Sequence, residues 1–275
     1  MTERQTREWP LVWFTVGTQL SCGLVMASTA VQWLTPSLAH SVRPVAIAAF
    51  PIAACATGLS IFHLGRPFSA WRSLRNLGAS RLSGEVALTG IFVLAAFLYS
   101  MTWLARGVAT ITTGSVTSAL GMLAVISSAR IYVIPTQRFW NAGWVICSFV
   151  SSPFLLGGTA VKLFLGPGQG GSSALLEVMT QLGSAAMLVS AIWMIGRFQR
   201  IARARYAGPE TYPLMSVGNW MSLSGFILFA ALIPLLGTRM TTPRGALLLL
   251  AGVALAGVLL GRSLMYSLGT KLARF

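Results

Sequence analysis

Residues 86–104 read VALTGIFVLAAFLYSMTWL, nineteen positions without one charged side chain. About twenty apolar residues, rising about 1.5 Å each as a helix, cross the roughly 30 Å hydrocarbon core of a bilayer. Polar and apolar residues do not alternate along the run, as a membrane barrel strand requires. The segment reads as a transmembrane helix. Seven further runs of the same character lie at 11–33, 45–63, 115–134, 141–164, 174–196, 219–237 and 245–266. Together they predict an all-α integral membrane protein with eight transmembrane helices, arranged as two four-helix halves. Residues 1–275 then form a single multi-pass domain.

Composition agrees. Hydrophobic residues make up 55% of the chain, charged residues 9%, and mean hydropathy is +0.73, outside the range of soluble globular proteins. Net charge is +15, yet the basic residues fall mainly between apolar runs, where they hold membrane loops in place. No basic soluble domain remains to bind nucleic acid. Cys22, Cys55 and Cys147 lie inside apolar runs and form no Cys-x-x-Cys pair, so they read as small core residues and not as zinc or iron–sulfur ligands. The run that follows Arg4 and Arg7 is too long for a cleaved signal and should persist as a helix. Pro51, Pro153 and Pro234 fall inside spans, where neighbouring helices can accommodate them. Gly257 and Gly261 offer the four-residue spacing of close helix packing.

An even number of spans returns both termini to one side. That side receives Arg4, Arg7, Arg66, Arg72, Arg75, Arg81, Arg130, Arg138, Arg197, Arg200, Arg203, Arg205, Arg262, Lys271 and Arg274, fifteen of the twenty basic residues. Arg43, Arg106, Lys162, Arg239 and Arg244 take the other. The positive-inside rule therefore expects the termini in the cytoplasm. Two long connections, 64–85 and 197–218, also lie on the arginine-rich side. The first carries Phe68, Trp71, Leu74 and Leu77 at the spacing of a helix lying in the interface.

The boundary between the second and third spans holds the rarest residue types. Ile61-Phe-His-Leu-Gly-Arg-Pro67 contains one of two histidines, and Leu82-Ser-Gly-Glu-Val86 one of five acids. His63 has a plain structural account as a polar residue near a helix C-terminus. It also suits proton acceptance near neutral pH, since imidazole ordinarily titrates near 6.5. Glu85, two residues after the candidate N-cap Ser83, has a structural account as an acid in a first helical turn. Its functional account is a carboxylate that takes a proton from a hydroxyl and passes it to water. Arg66, Arg81 and Arg130 are candidate supporting cations on the same side.

Elsewhere, Lys162 and Glu177 sit at facing ends of consecutive spans and predict an ion pair holding that hairpin. His40 reads as a solvated loop residue on the far side. Because the two histidines, His40 and His63, lie at opposite faces, they cannot ligate one haem iron together. The sequence also lacks a phosphate-binding glycine loop, a nucleophile elbow and a His-Glu-x-x-His motif.

The eight-span pattern, with His63-Leu-Gly-Arg-Pro67 closing span two and Arg81-Leu-Ser-Gly-Glu85 opening span three, resembles the membrane anchor subunit of dimethyl sulfoxide reductases. That family sits within the broader group of polysulfide-reductase-type quinol-reactive membrane subunits. The resemblance covers the full chain in helix count and residues 58–90 in motif. It implies a haem-free subunit, with no cofactor bound covalently or by metal ligation, that oxidises menaquinol, ubiquinol or a similar quinol in anaerobic respiration. Its implied partners are a ferredoxin-like four-cluster iron–sulfur subunit, a molybdopterin catalytic subunit and the lipid of the bacterial inner (plasma) membrane. Residues matching His63 and Glu85 are associated there with quinol oxidation. Between Pro67 and Leu82 the chain departs from the family pattern.

Quinol oxidation releases two protons and two electrons, so such a site needs proton acceptors but no redox metal of its own. Trp9, Trp13, Phe62, Phe68 and Trp71 are candidates to wall the ring, although interfacial aromatics are commonly anchors. Two alternatives stay open: a small transporter and an assembly scaffold without a quinol site. A transporter places ionisable groups near the midplane, where only mild polarity such as Gln19 and Gln181 is expected here.

Overall fold

A computed structural model of the chain describes residues 5–61, 80–165, 170–205, 217–237 and 244–273. Those residues form α1 (Gln5–Leu34), α2 (Ala39–Ile61), α3 (Arg81–Arg106), α4 (Ile111–Tyr132), α5 (Gly143–Leu165), α6 (Gly170–Arg205), α7 (Val217–Gly225), α8 (Ile233–Gly237) and α9 (Arg244–Ala273). Among the described residues there is no strand, and eight helical spans are long and apolar enough to cross a membrane. The seventh span is composite: a π-helical stretch, Phe226–Leu232, separates α7 from α8. The Ile233 N–H bonds to the Leu228 carbonyl, the five-residue reach of a π turn. Pro234 follows at once and has no N–H to return to the helix, which locates the widened turn before it.

The spans close two rings. In the first, α1 packs against α2 and α4, while α3 packs against both α2 and α4. In the second, α5 packs against α6 and α9, and the π stretch of span seven lies against both. The rings share the α1–α5 contact. The spans of α1 and α5 are each 72% buried, against 33–44% for the other six, so these two form the common axis. They touch backbone to backbone: a Cβ on Gly157 would stand 2.2 Å from the Gly23 carbonyl oxygen, and one on Gly23 would stand 2.2 Å from that of Pro153. Small residues permit such approaches in membranes. Gly257 and Gly261 serve the same end inside the second ring, Gly257 against the backbone of Phe229 and Ala230, Gly261 against the Phe226 ring.

Several local expectations require correction. Helix α3 begins at Arg81, with Ser80 at its N-cap position, so Ser83 lies inside the helix and is buried. Glu85 is consequently not an acid of the first turn, and the macrodipole no longer explains it. Helix α2 begins at Ala39, which makes His40 helical; the side chain is exposed, with Nδ1 3.0 Å from the Ser37 carbonyl oxygen. Helix α6 continues through Arg205, drawing Arg197 and Arg200 out of the expected connection. The reason is shared: hydropathy marks the part of a helix in lipid, while good helix formers such as arginine and leucine carry the helix beyond it. Cys22 is buried as expected, but Cys55 is exposed on the flank of α2 and is not a core residue.

Backbone capping fixes the ends near the arginine-rich face. Arg81 Nη1 donates to the carbonyls of Arg130 at 3.2 Å and Val133 at 2.5 Å, tying the start of α3 to the end of α4. Arg197 donates twice to the Arg138 carbonyl, at 2.9 and 2.7 Å. At the opposite end, Lys162 Nζ stands 4.0 Å from Glu177 Oε2, the ion pair expected to hold the α5–α6 hairpin.

Candidate functional site at the arginine-rich end

Glu85 is a buried carboxylate on α3, with 8% of its surface exposed. It lies one turn, about 6 Å along the axis, from the exposed Arg81. Ser128 Oγ on α4 donates to Glu85 Oε1 at 2.6 Å, which settles one carboxylate oxygen. The Arg81 clamp on the last carbonyls of α4 holds Ser128 at this level. Glu85 therefore lies within the apolar span Arg81–Arg106 and does not point from a loop into water.

The α2–α3 register shows what stands beside it. Arg43 Nη2 reaches the Leu104 carbonyl at 3.0 Å, Ser100 Oγ reaches that of Ala46 at 3.1 Å, and the Phe50 and Phe97 rings meet edge to face with centroids 5.0 Å apart. The seven residues from Arg43 to Phe50 along α2 are matched by the seven back from Leu104 to Phe97 along α3. Carried to the end of α2, this antiparallel register brings Ile61 level with the turn that holds Glu85. His63 and Arg66 lie outside the described residues, as do Phe62, Phe68 and Trp71. Among the described candidates, Arg81 and Arg130 share the end of the bundle with Glu85, but both are exposed. The clamp uses the Arg81 guanidinium, and no described basic side chain forms an ion pair with Glu85. Trp9 and Trp13 are 41% and 44% exposed on the outer side of α1.

One turn along α4 from Ser128, a part-buried hydroxyl pair follows. The Tyr132 and Tyr266 hydroxyls lie 2.8 Å apart, joining the end of α4 to α9. The Tyr132 ring packs against Trp140, Phe149 and Tyr266 at centroid separations of 5.5, 5.7 and 5.4 Å. One turn back from Tyr266 on α9, Arg262 is 2% exposed. Its Nη2 donates to Gln19 Oε1 at 3.1 Å, and its guanidinium carbon lies 3.6 Å from the centroid of the Phe149 ring.

Sequence reasoning placed Arg262 among the face charges, and the structure overturns that placement. Gln19 counted only as mild polarity and proves to be a ligand of this guanidinium. The contact joins residues 243 positions apart, so no local spacing announces it. The one signal in the sequence was the position of Arg262 within the apolar run at 245–266. Among the described residues, no group of three metal-ligating side chains comes together.

Comparison with known proteins follows the same lines. A family model described as DMSO reductase anchor subunit (DmsC) matches residues 3–268. The C subunit of the anaerobic dimethyl sulfoxide reductase of Escherichia coli strain K12 is 28% identical over 284 residues, covering 95% of this protein and 94% of the relative. Its counterpart of the same name in Haemophilus influenzae strain KW20 is 28% identical over 240 residues, covering 81% and 84%. A second Escherichia coli relative, the anaerobic dimethyl sulfoxide reductase subunit YnfH, is 31% identical over 163 residues, covering 54% and 55%.

Proposed function

The chain belongs to the DMSO reductase anchor subunit (DmsC) family, and from that premise we propose that it binds and oxidises menaquinol or a similar quinol at Glu85 and His63. It is a multi-pass membrane anchor subunit. In the proposed reaction one quinol yields one quinone, two protons and two electrons. The protons pass to the Glu85 carboxylate and the His63 imidazole, then to water at the adjacent face. The electrons pass to the nearest cluster of a four-cluster iron–sulfur subunit docked on the arginine-rich face, and onward to a molybdopterin catalytic subunit. Haem has no part in this scheme. The setting is the bacterial inner membrane, with both termini cytoplasmic by the charge asymmetry. Phosphatase fusions at residue 275 are expected to be inactive, and fusions active in the periplasm reverse the orientation without separating Glu85 from His63.

The burial of Glu85 is the observation that carries this reading. A carboxylate retained inside the membrane edge, one turn from solvent and with one oxygen already satisfied by Ser128, suits acceptance of a proton from a neutral hydroxyl. The register that brings the end of α2 level with Glu85 supports a role for His63, two residues beyond Ile61. His63→Ala in the assembled complex tests the pairing. Quinol-driven reduction is expected to fall at least about tenfold, while reduction by a dye that feeds the soluble subunits directly persists. Parallel loss of both activities, or retention of both, favours the scaffold alternative.

A further inference from the structure

We propose that Arg262 is the counter-charge of the Glu85 site and acts on it across the Tyr132–Tyr266 hydroxyl pair, as a positioning residue for quinol oxidation. The inference rests on the quinol reading and extends the site from the first helical ring into the second.

The surroundings of Arg262 give the first argument. Its described contacts are all neutral: the Gln19 oxygen, the Met265 sulfur at 3.6 Å from Nη1, and the Phe149 ring. Its Nε is buried and has no hydrogen-bond partner among the described residues. A guanidinium held this way is costly to keep and marks a functional position by default. The amide and the aromatic face hold the cation in place without neutralising it.

The scarcity of anions gives the second. The chain has five acids. Glu177 is taken by Lys162 at the far membrane face. Glu8 precedes Gln19 on α1 by eleven residues, about 16 Å along the axis. Glu3 and Glu210 lie outside the described residues. Among the described residues, Glu85 is the buried carboxylate.

Connectivity gives the third. Tyr132 follows Ser128 by one turn of α4, and Tyr266 follows Arg262 by one turn of α9. The 2.8 Å hydroxyl contact therefore bridges α4, whose Ser128 donates to Glu85 on α3, and α9, which carries Arg262. Hydroxyls linked in this way polarise along the line, each strengthening the next. Arg262 thus orients the bridge and favours negative charge at Glu85 before the quinol arrives, without touching the quinol.

The test uses the whole membrane-bound complex. Arg262→Met is expected to lower the quinol-driven kcat about tenfold or more with little change in KM, because the loss falls on the transition state and not on uniform binding. Dye-driven turnover should hold. Arg262→Lys restores the charge and should return activity to within about threefold of wild type, a rescue that a purely packing role does not predict. Tyr132→Phe keeps the ring and removes the bridge, and should fall with Arg262→Met. The double variant Arg262→Met with Glu85→Gln should be no worse than Glu85→Gln alone, because both act on one proton transfer.

Unchanged quinol-driven kcat in Arg262→Met, or a loss that adds fully to that of Glu85→Gln, overturns the inference. If Arg262→Met fails to accumulate, Tyr132→Phe decides: wild-type activity there overturns it. Loss in Glu85→Gln with none in the Arg262 and Tyr132 variants leaves the quinol reading standing and removes this one. Full activity in Glu85→Gln removes the quinol reading itself.

Discussion

Replacing Glu85 with glutamine should lower quinol-driven reduction about 100-fold or more, the scale on which a positioned general base acts, and leave the assembled complex in place. The substitution is close to isosteric, and the amide oxygen still accepts the hydrogen bond from Ser128 Oγ that reaches Oε1 at 2.6 Å in the native protein. Packing around the 8% exposed side chain is retained. What disappears is the capacity to accept a proton. A quinol hydroxyl cannot deliver its electrons efficiently while its proton has nowhere to go. Dye-driven reduction bypasses the step and should match wild type. Ser128→Ala removes one hydrogen bond to the carboxylate but not the base, so its loss should be much the smaller. Steady-state assays with both donors on the same membranes give the comparison.

Gly157→Leu should remove the folded subunit from the membrane altogether. The first carbon of any side chain at this position meets the Gly23 carbonyl oxygen at 2.2 Å, and the obstacle is backbone, which cannot rotate away. Overpacking in an adaptable core costs about 1–3 kcal/mol. Here the clash falls where α1 and α5 join the two rings, so the penalty is at the upper end or beyond. Gly90→Leu is the matched control: it adds the same bulk where nothing lies within 4 Å. Detergent-solubilised material monitored by fluorescence size exclusion should show a monodisperse peak for Gly90→Leu and none for Gly157→Leu. A normal peak for Gly157→Leu contradicts the α1–α5 crossing.

The eight spans were legible because each apolar run is a local property of the sequence, set by the thickness of the hydrocarbon core. Helix ends were less so. The start of α3 at Arg81 lies in a polar stretch that hydropathy discounts, and this alone misread Glu85 as a first-turn acid. Glu85 was singled out regardless, since an acid in so apolar a protein stands out wherever its helix begins. Gly257 and Gly261 were readable from spacing on one helix. Gly23 and Gly157 were not, because their contact pairs two helices 134 positions apart in sequence. Arg262 was hidden for the same reason. Its setting depends on Gln19 and Phe149, contributed by two other helices, and on its own it looks like one more charge near a span end. Local pattern reveals where helices cross the membrane; long-range pairing determines which polar residues they enclose.

In the proposed function, electrons enter the complex through a quinol site built on Glu85 and His63. The most direct measurement is a single-turnover experiment in which the purified complex is mixed rapidly with a menaquinol analogue, and cluster reduction in the partner subunit is followed optically and by electron paramagnetic resonance. In wild type the clusters should be reduced within the first turnover. In Glu85→Gln and His63→Ala they should stay oxidised over the same interval, yet reduce fully on addition of a low-potential dye. Cluster reduction by the quinol analogue at the wild-type rate in both variants contradicts the account.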